Sequence, residues 1–261
     1  MRSSELILGT AALAMGLSAC GGDDGGGGSE PVADMGAVAE SFTCNTATRR
    51  AESDQPAPAG GYACAGEPAF VTLTTARGRT YDIFAYEASH PLASADDAFP
   101  CAHFQPEDGS TLVGVMQAPD VDAQACSQAG VRPWHSVKWD TAKASCEAIG
   151  WRLCTKDELL RSCQGPDSTA YAFGRQFEGG KCNFREAYTG PNAEDPSEAP
   201  AGQYAECTAG EGVFDANGNL WEWSSERDAN DNRARYYHGA GWKTIAQRHQ
   251  DEAQVCDVES R

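Results

Sequence analysis

Eleven cysteines, the first of them closing an apolar run at the amino terminus, constrain this chain more than any other feature. Arg2 is the only basic residue ahead of the run from Leu6 to Leu17. That run is too short to cross a bilayer as a helix, but it has the length of a signal-peptide core. It ends in Leu17-Ser18-Ala19-Cys20, which resembles the bacterial lipobox, where small residues suit the peptidase and the cysteine sulfur takes a diacylglyceryl group. Residues 1–20 are accordingly read as a lipoprotein signal peptide ending at a lipidated Cys20, with membrane lipid as a partner. Attachment through two or three acyl chains is stable, since each buried methylene contributes about 0.8 kcal/mol. The implied address is exported and lipid-anchored, on the periplasmic or cell-surface face of the cell envelope.

In such a compartment thiols oxidise. Eleven cysteines less the acylated one leave ten, an even number, and structural bridging is the default reading. The disulfide candidates are Cys44, Cys64, Cys101, Cys126, Cys146, Cys154, Cys163, Cys182, Cys207 and Cys256. The pairings expected are Cys44 with Cys64, Cys101 with Cys126, Cys163 with Cys182, and Cys207 with Cys256. No CxxC occurs and no Cys/His grouping has zinc-finger spacing, so thioredoxin-like and zinc chemistry both give way to bridging.

A net charge of −18 opposes nucleic acid and anionic headgroups as partners and leaves carboxylates for a cation. Residues 21–66 open with GGDDGGGG and stay rich in Ala, Gly and Pro; they read as a flexible tether. Residues 67–261, about 195 in all, suffice for one domain with its own core. Phe70 to Thr75 and Thr80 to Ala85 alternate apolar and polar residues around Arg77-Gly78-Arg79, a β-hairpin pattern. Asp140 offers an N-cap to a helix with Ala142, Ser145, Cys146 and Ile149 on one face and Gly150 at its end. A second helix follows, with Thr155 and Glu158 at capping-box spacing and Gly165-Pro166 as the stop. Beyond it, Gly, Asn, Asp and aromatic residues follow little periodicity, which predicts long ordered loops and short strands.

Several motifs stand in one order: Tyr81-Asp82-Ile83 with Tyr86-Glu87-Ala88-Ser89; Pro133-Trp134, Val137 and Trp139; Cys146, Gly150 and Arg152-Leu153-Cys154-Thr155; Glu158; Tyr171-Ala172-Phe173-Gly174; Asn183; the box GVFDANGNLWEW from Gly212 to Trp223; and Gly239-Ala240-Gly241-Trp242. Together they resemble the formylglycine-generating enzyme family, the sulfatase-modifying factors, over about residues 80 to 245. The resemblance implies an α+β fold, a loop-rich and disulfide-braced variant of the C-type lectin fold with two helices on small antiparallel sheets. It also implies a calcium site formed by the side chains of Asp215 and Glu222 and the carbonyls of Gly218 and Leu220, with a weaker second site near Asn183. Hard oxygen donors suit that ion. Without metal, the same segment is an Asx-stabilised turn.

The chain departs from the family where the chemistry would sit. Oxidising members carry two cysteines two and seven residues after the last Trp motif, and soft thiolates suit Cu(I). Here those positions are Thr244 and His249, and the only later thiol is Cys256; copper is not expected. His238, Trp242 and His249 are candidates to line a pocket, although a partly exposed loop histidine and a core tryptophan are the plainer readings. The five tryptophans Trp134, Trp139, Trp221, Trp223 and Trp242 are expected in the core, and Arg152 against carbonyls or a carboxylate. No GxSxG, P-loop, HExxH or dinucleotide-binding motif occurs. The leading expectation is a non-catalytic module that binds an extracellular or periplasmic ligand or protein. The alternatives are an oxidase that converts a sulfatase cysteine to formylglycine, and a structural envelope protein.

Overall fold

The computed structural model describes residues 15–22, 43–45, 50–52, 61–96, 123–135, 137–184, 198–227, 234–242, 256 and 259–260. In chain order the elements are β1 (Met15–Leu17), β2 (Ala19–Gly22), β3 (Thr43–Asn45), β4 (Arg50–Glu52), β5 (Phe70–Thr74), β6 (Thr80–Phe84), β7 (Ala88–Ser89), β8 (Cys126–Ser127), α1 (Trp139–Glu147), β9 (Arg152–Leu153), α2 (Lys156–Gln164), β10 (Trp221–Arg227), β11 (Arg235–His238) and β12 (Glu259–Ser260). One four-stranded sheet runs β5-β6-β2-β9 and a second runs β1-β10-β11-β12; β3-β4 and β7-β8 are two-stranded. All pairings are antiparallel except that of β1 on β10. Two helices on small sheets, with loops between, make this a loop-rich, disulfide-braced α+β fold.

The hairpin and the helices follow from local chemistry. β5 and β6 pair in register from Phe70 opposite Phe84 to Thr74 opposite Thr80, and Gly78 turns the chain at φ +80°, a conformation open to glycine. At α2 the capping box closes in both directions: the Thr155 side chain accepts from the Glu158 amide and the Glu158 carboxylate accepts from the Thr155 amide. Leu159 and Cys163 face inward and Gly165 ends the helix at φ +63°. α1 starts earlier than expected. Lys138, not Asp140, is its N-cap and makes no side-chain cap bond; Asp140 lies in the first turn, where it still favours the helix dipole.

Between the helices, α1 and β9 pack Trp134, Val137, Ala142, Cys146 and Leu153 into a cluster with Phe84, Leu17 and Ala19. A second cluster joins Tyr81 and Ile83 to Leu159, Cys163 and Val213. A third gathers Phe184, Tyr204, Trp221 and Tyr237. Four of the five expected core tryptophans are buried, and Trp223 is partly so. Arg152 is held as expected, donating to both carboxylate oxygens of Glu158 and to the Leu153 carbonyl.

The disulfides correct the sequence reading. Among the described residues the bonds are Cys20–Cys154, Cys64–Cys126, Cys163–Cys256 and Cys182–Cys207. The pairs Cys44–Cys64, Cys101–Cys126, Cys163–Cys182 and Cys207–Cys256 therefore do not form. The Cys44 side chain and Cys101 lie outside the described residues. Cys146 is a buried free thiol, not a bridging residue. Pairing near neighbours in sequence ignores that tertiary packing brings distant cysteines together: three of the observed bridges span separations of 62, 93 and 134 residues, where loop closure contributes most.

Cys20 has a partner that the sequence does not suggest. Expected to carry a diacylglyceryl group, it is fully buried and bonded to Cys154. One sulfur cannot hold both a thioether and a disulfide, so this is the conformation of an unacylated chain. The tether expected over 21–66 joins the packed body at both ends: Gly21 and Gly22 belong to β2, Tyr62 is buried, and Cys64 is bridged.

Candidate functional site

The GVFDANGNLWEW box forms a turn running into β10. Asp215 and Asn219 adopt φ +59° and +56°, and Gly218 φ +95°. Asp and Asn tolerate this region better than other side chains. At Gly218 a Cβ would lie 3.0 Å from the Phe184 ring and 3.1 Å from the Asn183 carbonyl, so only glycine fits. The Gly239–Trp242 motif clamps the turn through its backbone: the Gly218 amide donates to the Gly239 carbonyl at 2.8 Å and the Trp242 amide donates to the Asn219 carbonyl at 2.7 Å. Asn217 Nδ2 also donates to the Gly239 carbonyl.

Asn219 is the hub of the turn. Its Oδ1 accepts from Asn183 Nδ2 at 2.9 Å and from the Ala199 amide at 2.7 Å. Its Nδ2 donates to the Ala199 carbonyl and to Glu87 Oε2, while Glu87 Oε1 accepts from the Leu220 amide at 2.9 Å. Asp215 Oδ2 accepts from the Gly202 amide at 2.6 Å. Glu222 Oε1 accepts from the Ser18 hydroxyl, and Glu222 sits opposite His238 in the β10–β11 register.

Three carboxylates are thus buried around one turn. Burial raises Glu87 well above the usual carboxylate range, with the charges of Asp215 and Glu222 adding to it and bonds from Asn219 and the Leu220 amide opposing it. Burial likewise brings Asp215 to about 7 against the Gly202 hydrogen bond. Glu222 also reaches about 7, through burial first, with the Ser18 bond opposing and Asp215 adding. Among the described residues, no arginine or lysine is a cause of any of the three shifts. Burying a carboxylate without a counter-charge favours either its proton or a cation. Among the described residues no three His, Cys, Asp or Glu side chains converge as a metal-binding group, so a cation here would need main-chain carbonyls as well.

The fold brings Asp215, Gly218, Leu220, Glu222 and Asn183 together. Asn183 is tied into the same turn through Asn219. His238 and Trp242 are 5 % and 1 % exposed, so neither sits on a loop surface: the first is a strand residue and the second packs on Leu220. Thr244 and His249 lie outside the described residues. Glu87 joins the site although the sequence marks it only as a lone acid within the aromatic and small run Tyr86-Glu87-Ala88, and Ser18 joins it from within the expected leader.

A disulfide-braced, loop-rich α+β domain with a glycine-asparagine turn clamped over buried carboxylates is the class of protein that fold and site define. The family model described as the sulfatase-modifying factor enzyme 1-like domain matches residues 71–259, and the chain belongs to that family. No curated protein matches it.

Proposed function

We propose that the domain is a non-catalytic ligand- or protein-binding module of an exported, lipid-anchored protein. The observation that carries this reading is the Cys163–Cys256 bridge. Cys256 is the only thiol after the last Trp motif, and in a disulfide it has no thiolate to offer Cu(I). Thr244 supplies a hard, neutral oxygen in place of one cysteine, and a lone imidazole from His249 gives neither linear two-coordination nor a thiol to exchange with a substrate. Cys146, the free thiol among the described residues, is buried on α1 with its acidity suppressed by burial and by Glu147.

Calcium belongs to the same reading. The Asp215 and Glu222 carboxylates with the Gly218 and Leu220 carbonyls would hold it, and hard oxygens fit that ion. When bound, it would neutralise buried charge and fix the turn. The supporting observation is the set of buried carboxylates whose acidity is, among the described residues, suppressed by burial with no arginine or lysine opposing it.

Incubation of copper-loaded protein with a peptide bearing the sulfatase CxPxR motif tests the non-catalytic reading. The expected mass spectrum shows unchanged cysteine; copper-dependent aldehyde that disappears in Cys256→Ser would establish the oxidase instead. For the anchor, Cys20→Ser should abolish uptake of labelled fatty acid, and equal labelling of mutant and parent would refute it.

A further inference from the structure

The segment Met15–Gly22 occupies a slot that runs across both main sheets. β1 lies parallel on β10, with Met15 opposite Trp221, Gly16 opposite Glu222 and Leu17 opposite Trp223. β2 fills the gap between β6 and β9, with Cys20 opposite Ile83 and Arg152 and Ala19 opposite Leu153. Leu17, Ala19 and Cys20 are all fully buried, and the Ser18 hydroxyl donates to Glu222. Lipoprotein processing, as proposed above, removes residues 1–19 and carries Cys20 to the membrane. Cleavage thus takes away β1 and Ala19, opening the edge of β10, and drawing Cys20 to the membrane pulls Cys20, Gly21 and Gly22 from between β6 and β9.

An empty slot exposes apolar side chains together with unpaired main-chain donors and acceptors on three strands, and adding an extended strand satisfies both. We propose that in the processed protein this slot binds an extended peptide segment of a partner, inserted parallel to β10 and antiparallel to β6 and β9. The chain's own segment defines what fits. A glycine is needed opposite Glu222, because a Cβ on Gly16 would stand 2.8 Å from Leu220 Cδ1 and 3.1 Å from Leu220 Cβ, and Leu220 is itself fully buried. Next come a leucine-sized residue, a hydroxyl placed for the Glu222 carboxylate, and a small residue where Ala19 sits. At Gly21 an added Cβ would meet only ordinary contacts, 3.5 Å from Asp82 Cβ and 3.6 Å from Trp151 Cδ2, so a small side chain is tolerated there. The ligand class is an extended peptide with a Gly-Leu-Ser-Ala pattern. This inference rests on the processing reading and deepens the binding role.

The test uses protein purified from membranes in detergent, its cleavage before Cys20 confirmed by intact mass. The probe is a peptide of the Ala14 to Gly22 sequence carrying Cys20→Ser. Saturable binding is expected, with slowed hydrogen exchange at the Trp221 to Trp223 amides. A G16V peptide should bind roughly 5- to 140-fold more weakly, since overpacking costs about 1–3 kcal/mol and each 1.4 kcal/mol is tenfold. Absence of binding, equal binding of the G16V peptide, or Trp221 to Trp223 amides already protected and unchanged by peptide would each overturn the proposal. A purified chain that retains residues 1–19 with Cys20 bonded to Cys154 refutes processing separately. In that chain Gly16→Val should displace β1 and let the parent peptide add in trans; failure there overturns the slot itself.

Discussion

Glu158 and Glu222 are both buried carboxylates, one on α2 and one on β10, and their acidities have moved in opposite directions. At Glu158, burial raises the pKa, but hydrogen bonds from Arg152 and Thr155, together with the Arg152 charge, outweigh it and hold the carboxyl below its usual value. At Glu222 only the Ser18 hydroxyl works against burial, Asp215 adds to it, and the carboxyl rises to about 7. Burial sets the cost, and the neighbours decide whether it is met. The first region is a finished structural joint, tying β9 to the start of α2. The second is a buried concentration of acid that a proton or a cation must relieve, which is why the candidate site lies there.

The largest break in that comparison should come from Arg152→Met. It strands the Glu158 charge, and removing one partner of a buried pair costs about 3–5 kcal/mol; because Arg152 is 32 % exposed and the more exposed Arg79 lies 3.4 Å away, roughly 2–3 kcal/mol is expected. Thermal unfolding measures it. The pH dependence should change with it. Glu158 has a folded pKa below its unfolded value near 4.3, so its contribution is full above that value and is lost as pH falls through it and below. In Arg152→Met this part of the acid-side loss should flatten, as urea midpoints between about pH 5 and 3 would reveal.

At the other site the same kind of substitution should act with the opposite sign. In chelator, Glu222→Gln replaces a buried acid by a neutral isostere and should leave stability unchanged or raise it by about 1 kcal/mol. With calcium the parent should gain in melting temperature and Glu222→Gln should gain far less. A parent whose melting is the same with calcium and with chelator would remove calcium from the account and leave the proton as the relief.

The legible part of the molecule was the local part. The capping box, the glycine stops, the hairpin around Gly78 and the Arg152 contact need only a few residues in sequence to specify them. The turn of the WEW box was legible as a motif, but its latch was not: Glu87 lies 133 residues from Leu220, and no periodicity links them. Disulfide pairing failed for the same reason, since ten cysteines constrain parity and leave partners to the packing. The leader is legible from Arg2, the apolar run and the Leu17-Ser18-Ala19-Cys20 box; its fit as strands beside β6, β9 and β10 is not, because those partners lie far along the chain.

Smaller effects sharpen the contrast. Thr155→Ala removes one half of the capping box and should cost about 1 kcal/mol, with the Glu158 carboxylate keeping its Arg152 bonds. The exposed Lys143–Glu147 pair on α1, with side chains 43 % and 52 % accessible, should matter least: Lys143→Ala is expected to change stability by less than about 0.5 kcal/mol and to lose even that in high salt.

The binding-module reading rests most directly on the state of one sulfur. Alkylating the native protein under denaturing, non-reducing conditions, then digesting it and mapping the peptides, reads that state. The account predicts a linked peptide pair joining Cys163 to Cys256, with Cys256 alkylated only after reduction. Recovery of Cys256 as a free, alkylated thiol from unreduced protein would contradict it and return that residue to the metal-binding chemistry of the family's oxidases.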